Sequence, residues 1–315
     1  MRFDDFTELV RTRLEEICGP EFSVSVYEAL KNNSVTHKGV SIKENGCNIS
    51  PTIYLDEFYT DYCDGKDIEE IVNDVIRVYS ENRLCPDLDV EKFSDYEWVR
   101  ERIFFKLINA MDNFRLLQQV PHENLMDLAV VYGVYMGDHR GAFSSVLVRN
   151  EHMAGWKVSE EEIREEAMKN TPRLLPYQIF TMSEMLEGSG LETGIPENAI
   201  RMYVMTNSLR IGGASAMLYE GALRSFARSI GCDLFVIPSS VHELILIPDD
   251  GFADAGTLMP MIGEVNDTQL DREEILSYSL YRYDVEKDLM EIAASPENRK
   301  SCGGVQPGSK KVARA

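Results

Sequence analysis

The chain has 315 residues, 44% of them apolar and 27% charged, enough to bury a substantial core and to fill about two domains. Its net charge of −21 repels phosphate backbones, which argues against direct nucleic-acid binding through a basic face. No run reaches the roughly 18 apolar residues that cross a bilayer, and Met1-Arg2-Phe3-Asp4-Asp5-Phe6 sets acids where a signal peptide has its apolar core, so a cytoplasmic protein without a membrane partner is expected.

In chain order, Phe3, Phe6, Leu9, Val10, Leu14 and Ile17 recur at helical spacing until Gly19-Pro20. Phe22, Val24 and Val26 alternate with polar residues, Lys31 to Ser34 turns the chain, and Val35 to Ile42 forms a second strand. A third strand over Cys47 to Tyr54 is expected at an edge, because Pro51 lacks a donor. Tyr54, Leu55, Phe58, Tyr59 and Tyr62 form a helical aromatic stripe, read as core. Asp67 with Glu70 opens a helix whose buried face is Ile68, Ile71, Val72, Val75, Ile76 and Tyr79. The acids from Asp56 to Asp74 are read as a solvated face, since the EF-hand spacing is absent.

Leu84 to Glu97 is the expected linker. Beyond it come a strand over Val99 to Ile108, a short helix over Asn109 to Val120, and a strong strand over Met126 to Met136 that turns at Gly137 to Gly141 into Ala142 to Val148. Ser159 and Glu162 fit a capping box. Leu175 to Met182 and Met202 to Thr206 read as strands flanking an exposed loop over Leu186 to Asn198, and Gly212-Gly213 introduces a helix from Ala214 to Ile230. Leu234 to Ile237 and Leu244 to Ile247 are two buried strands that stop at prolines. Short helices are expected at Leu258 to Val265 and Arg272 to Leu276, a strand at Ser279 to Tyr283, and an amphipathic piece at Asp284 to Ala293. The Pro-, Gly- and Lys-rich stretch from Ser295 onward is expected to be disordered.

The most chemically loaded link is Ser239-Ser240-Val241-His242-Glu243, between the two buried strands. A serine nucleophile needs an imidazole within reach and a carboxylate to orient it. Ser239, Ser240, His242 and Glu243 are therefore the candidate catalytic residues, with His122 brought in by folding. Adjacent strand residues point to opposite faces, however, and no nucleophile-elbow pattern is present. H-E-x-x-H fails because Leu246 occupies the second histidine position, and the scattered cysteines (18, 47, 63, 85, 232 and 302) lack zinc spacing, so no metal is expected. Gly212, Gly213 and Ser215 ahead of a helix are candidate anion-binding residues through exposed N–H groups. Neither a P-loop lysine nor a dinucleotide fingerprint accompanies them, so no cofactor is expected.

Three sets of motifs resemble one family. They are Leu107-Ile108-Asn109-x-x-x-Asn113 with Val120-Pro121-His122 and Asp127 to Tyr132; Asn150 to Trp156 ahead of the Ser159 helix and Ala167 to Asn170; and Pro238 to Glu243 with Val265-Asn266 and Ile275-Leu276-Ser277. Together, over about residues 1–294, they are similar to a family of uncharacterised proteins of Clostridia-type gut bacteria, a domain of unknown function. The resemblance implies one intracellular bacterial module and carries no activity.

The expected architecture is α+β. A small antiparallel meander with helices (1–88) precedes a larger mixed, mainly antiparallel sheet covered by helices (89–294), then a basic tail (295–315). The leading function is a non-catalytic binding or interaction module with a protein partner. The alternatives are a hydrolase or small-molecule enzyme using the Ser239 to Glu243 turn, and an acidic decoy for a nucleic-acid-handling protein.

Overall fold

Helical and alternating apolar periods set the local elements, and the computed structural model, which describes residues 1–47, 50–82, 90–139, 142–188, 200–296 and 313–314, groups them into units Met1–Val90 and Glu91–Ala315. In the first unit, α1 (Phe3–Cys18) buries Phe6, Val10 and Leu14 and ends at Gly19, whose φ of 74° suits a residue without Cβ. Strands β1 (Phe22–Leu30) and β2 (Thr36–Glu44) pair antiparallel from Phe22 opposite Glu44 to Leu30 opposite Thr36. The third strand, β3 (Thr52–Tyr54), begins only after Pro51 and pairs β2 at the edge.

The aromatic stripe packs inward. Tyr59 and Tyr62 of α2 (Asp56–Cys63) each lie 5.3 Å from the Phe6 ring. Asp67 Oδ1 accepts from the Glu69 N–H at 2.8 Å and starts α3 (Ile68–Asn82), whose Ile71, Val72 and Val75 complete this core. Lys66 ties Asp61 to Asp74 at 2.9 and 2.8 Å, neutralising part of the acidic face.

In the second unit, the later half of the expected linker is helical instead. Its helices are α4 (Val90–Ser94) and α5 (Tyr96–Arg100). Asp95 caps α5 through the Glu97 N–H at 3.1 Å, and the Trp156 indole N–H donates to the Phe93 carbonyl at 2.9 Å. The expected helix over 109–120 shrinks to one turn, α6 (Phe114–Leu117), preceded by strand β4 (Ile103–Asn109). Asn109 Oδ1 accepts from the Asp112 N–H, and Asn113 Nδ2 donates to the Asn109 carbonyl, so these side chains take up backbone groups that a longer helix would use.

The larger sheet expected here is two sheets, and every strand pairing among the described residues is antiparallel. In the first, β6 (Leu128–His139) is central, with β4 on one side and β5 (His122–Leu125) and β7 (Ala142–Leu147) on the other. Helices α7 (Asn150–Trp156) and α8 (Glu160–Leu174) follow, the second held by the expected Ser159–Glu162 capping box.

The second sheet contains β8 (Tyr177–Thr181), β9 (Tyr203–Asn207), β10 (Leu234–Ile237), β11 (Leu244–Pro248), β12 (Leu280–Asp284) and β13 (Leu289–Ala294). Their order is β13-β12-β10-β11-β9-β8, with Ala313–Arg314 against β13. Between β8 and β9, α9 (Met182–Gly188) takes up the start of the expected loop; residues 189–199 lie outside the described ones, as do residues 297–312 of the tail. The helix expected from Ala214 to Ile230 is broken into a 3₁₀ turn (Gly213–Leu218) and α10 (Ala222–Ile230). Tyr219 is extended at the break, its hydroxyl donating to the Leu175 carbonyl at 2.8 Å, and Gly221 turns the chain at φ 69°. The last helix is α11 (Ala255–Gln269). Asp284 to Ala293, expected as an amphipathic piece, instead turns at Asp288 (φ 54°) and returns as β13 along β12.

Alternation explains the unbroken apolar runs. Leu234 and Val236 enter a core shared with Phe105, Leu107, Leu128, Val130 and helix residues Ile163 and Leu223. Phe235 and Ile237 point to the opposite face, against Leu258 and Ile262 of α11. Both faces of β10 are covered, which is why its run is apolar without interruption. Of the described residues, no helix is long and apolar enough to cross a membrane.

At the seam between the sheets, the Asp127 carboxylate accepts from Ser277 Oγ at 2.6 Å, from Ser279 Oγ at 2.9 Å, and from the Tyr281 hydroxyl. Asn109 Nδ2 donates to the Leu276 carbonyl at 3.0 Å and Asn266 Nδ2 to the Ser277 carbonyl at 2.9 Å. Burial, with the Asp127 charge beside it, holds the Tyr281 phenol well above its ordinary range.

Asp127→Ala strands three buried hydroxyl donors and is expected to lower unfolding free energy by about 3–5 kcal/mol, read as a shift in urea midpoint. Alkali has a second expected effect. Burial pushes both the Tyr132 and Tyr219 phenols up to about 12. The unfolded chain loses these protons near pH 10 while the folded chain keeps them, so stability falls between about pH 10 and 12, by up to about 1.4 kcal/mol per pH unit for each. A urea midpoint that stays constant from pH 9 to 11.5 would contradict this.

Candidate functional site

Strands β10 and β11 pair from Leu234 opposite Pro248 to Ile237 opposite Ile245, and Pro238 to Glu243 joins them outside the sheet. This link is paired along its backbone. The Leu276 N–H donates to the Ser239 carbonyl at 2.7 Å, and the Val241 N–H donates to the Glu274 carbonyl at 2.8 Å. Ser240 and Ile275 form an antiparallel bridge between those bonds. Residues 272–276, expected to be helical, are therefore a turn and an extended segment, because the link takes their backbone groups.

Side chains close the link further. Ser240 Oγ accepts from the His242 main-chain N–H at 3.0 Å, and the His242 carbonyl accepts from Thr206 Oγ1 at 2.8 Å. Imidazole Nδ1 accepts from the Gly212 N–H at 3.3 Å, which places the proton of the neutral ring on Nε2, 3.7 Å from Glu274 Oε1. Ser240 thus meets the backbone of His242 and not its ring. Ser239 is buried beside it, and Glu243 is half-buried just before β11.

Gly212 and Gly213 fill a position that side chains cannot. Gly212 is left-handed at φ 61°, and a Cβ on Gly213 would lie 2.3 Å from Thr206 Oγ1 and 2.4 Å from the His242 carbonyl. Their neighbours' donors are engaged within the chain. The Gly212 N–H serves His242, the Ala214 N–H serves the Val241 carbonyl at 3.2 Å, and the Ser215 N–H and Oγ both serve the Gly212 carbonyl. The N–H groups of Gly212, Ala214 and Ser215 thus each serve one of the protein's own acceptors.

His122 lies on β5 of the other sheet, its ring Nδ1 3.1 Å from the Val120 carbonyl. Burial lowers the proton affinity of His152, whose Nδ1 accepts from the Arg149 N–H at 3.1 Å within an aromatic cluster with Phe93 and Trp156. Among the described residues no group of three or more His, Cys, Asp or Glu side chains is placed to hold a metal ion.

Four residues essential to this arrangement escape a reading of the sequence: Thr206, Asn207, Asp127 and Glu274. Asn207 is fully buried, and its Oδ1 accepts from the Leu209 and Ile211 N–H groups while Nδ2 donates to the Ile211 carbonyl at 2.7 Å. The available signal was an Asn directly after a strand and before Ser208, where a side chain imitating a turn is favoured.

The fold defines an α+β protein whose most polar link is closed on its own backbone. Residues 3–285 match the profile described as "Family of unknown function (DUF5688)", and the chain belongs to that family. No curated protein and no solved structure matches it.

Gly213→Ala pushes a methyl into backbone atoms that have no room to yield. It is expected to cost about 3 kcal/mol or more, measured by chemical denaturation, whereas Gly155→Ala in α7, where the added carbon meets open space, is expected to cost nothing measurable.

Proposed function

We propose that this chain is a non-catalytic, protein-binding module of the cytoplasm. The observation that supports this most directly is the fate of the Ser239 to Glu243 link. The imidazole lone pair that a serine would need is given to the Gly212 N–H, and Ser240 Oγ accepts from main chain. General-base activation needs the hydroxyl and ring nitrogen to face each other, and here both are committed to holding the fold. The cytoplasmic location is supported by free thiols at Cys18, Cys47, Cys63 and Cys232 and by the absence of zinc spacing. The charge of −21 favours a partner with basic character over a nucleic acid.

A fluorophosphonate probe and a hydrolase substrate panel test the reading against the enzymatic alternative. The expected result is no covalent labelling of Ser239 or Ser240 and no turnover. Capture from native lysate should return a specific protein. Labelling at either serine that His242→Ala abolishes, together with turnover, overturns the proposal.

A further inference from the structure

The first unit ends in an edge strand that carries none of the devices that keep edges apart. β1 stands at one side of the three-stranded sheet and runs for 9 residues in unbroken register with β2. It has no proline, lysine or bulge, and its one charge, Glu28, is met by Lys38 of β2 at 3.2 Å. The opposite edge is blunted, since β3 has 3 residues and starts only after Pro51. Edges are usually shortened, charged or bulged because their open backbone groups recruit another strand.

The register tells which groups of β1 are open. The Asn45 N–H donates to the Glu21 carbonyl at 2.9 Å, and the Lys31 N–H to the Val35 carbonyl at 2.7 Å. Antiparallel partners exchange bonds at every second residue, so Ser23, Ser25, Tyr27 and Ala29 bond to β2. Phe22, Val24, Val26, Glu28 and Leu30 turn their N–H and C=O groups the other way. The Phe22 N–H goes back to the Gly19 carbonyl at 3.2 Å, and the four N–H groups after it on that side face a further strand.

We infer that this strand is β1 of a second copy, paired antiparallel about a two-fold axis at Val26. That axis aligns the whole strand with itself, and the sequence from Glu21 to Lys31 is complementary to its own reverse. Glu21 falls opposite Lys31 of the second copy, and Phe22 opposite its Leu30. Leu30 is 40% exposed in the single chain and gains an aromatic neighbour. Tyr27, 51% exposed, falls opposite Ser25 of the second copy. Glu21 and Lys31 belong to the set whose backbone is not bonded across the new pair, where opposed side chains approach most closely. Each Glu28 faces Val24, and the two Glu28 residues are about 14 Å apart along the strands, beyond the screening length of roughly 8 Å at physiological salt. An isologous contact of this kind uses one patch twice and closes at two copies. It joins the two small sheets edge to edge, and it is independent of the protein-binding reading above.

Sedimentation equilibrium of the full chain at about 0.15 M salt, where long-range repulsion is screened, tests it. The expected result is a reversible dimer. Val26→Pro removes the N–H donors at the axis and none that β2 uses, so Kd for the dimer should weaken at least tenfold while circular dichroism reports an intact fold. Glu21→Lys and Lys31→Glu each set like charges opposite one another twice and should each weaken Kd about tenfold. The double variant Glu21→Lys with Lys31→Glu should recover the parent's Kd. Mixing the two single variants should do the same, because only the mixed pair opposes unlike charges at both ends. A chain that stays monomeric at every soluble concentration overturns the inference, as does a dimer that these charge exchanges leave unchanged or that the exchanged pair fails to restore. Should Val26→Pro fail to fold, the charge exchanges decide alone.

Discussion

A single carboxylate at the seam between the sheets governs much of the larger unit. Asp127 ends the turn into β6, and its oxygens gather hydroxyls from Ser277, Ser279 and Tyr281, at the entry to β12 and within it. The four-stranded sheet is thereby locked to the strand that neighbours β10 in the other sheet. The same bonds fix the path of 274–279, and that path provides the backbone along which Ser239 to Val241 lies. A carboxylate with three hydroxyl donors needs no basic partner to be stable in a half-buried setting, because its charge is spread over strong hydrogen bonds.

The polar link is best understood through its competitors. Two apolar strands side by side need a connection, and a connection leaving the sheet leaves N–H and C=O groups unpaired. Here those groups find 274–276 on one side, and Ala214 and Thr206 on the other. Ser240 and His242 complete the pairing locally. Residue types that look like reagents in a sequence are, in this fold, the ones that can finish a hydrogen-bond account in a short space.

Strands and helices with strong periods were legible before any coordinates: α1, α3, β1, β2, β10 and β11 all lie where spacing puts them. Their signal is local, since one buried face repeats every two or every 3.6 residues. The errors fall where a distant group overrides local preference. Asn109 and Asn113 displace the start of the helix expected from Asn109, and Tyr219 breaks another by reaching for the Leu175 carbonyl. Residues 272–276 have helical composition but are drawn out by pairing with a link some thirty-five positions earlier. The division into two sheets was invisible for the same reason, since register between strands is not written in either strand alone. Of the candidate site, the serines and His242 were visible as types, while the direction of each hydrogen bond, on which their chemistry turns, depends on Gly212, Thr206 and Glu274.

The placement of the indoles has a practical corollary. The chain has two tryptophans. Trp156 is held by Phe93 and the α4–α5 segment, and Trp98 lies in α5 beneath the Arg102 guanidinium at 4.2 Å. Both belong to the Glu91–Ala315 unit. Emission spectra followed during denaturation therefore watch that unit alone, and the Met1–Val90 unit melts in the dark unless circular dichroism or its tyrosines are monitored alongside.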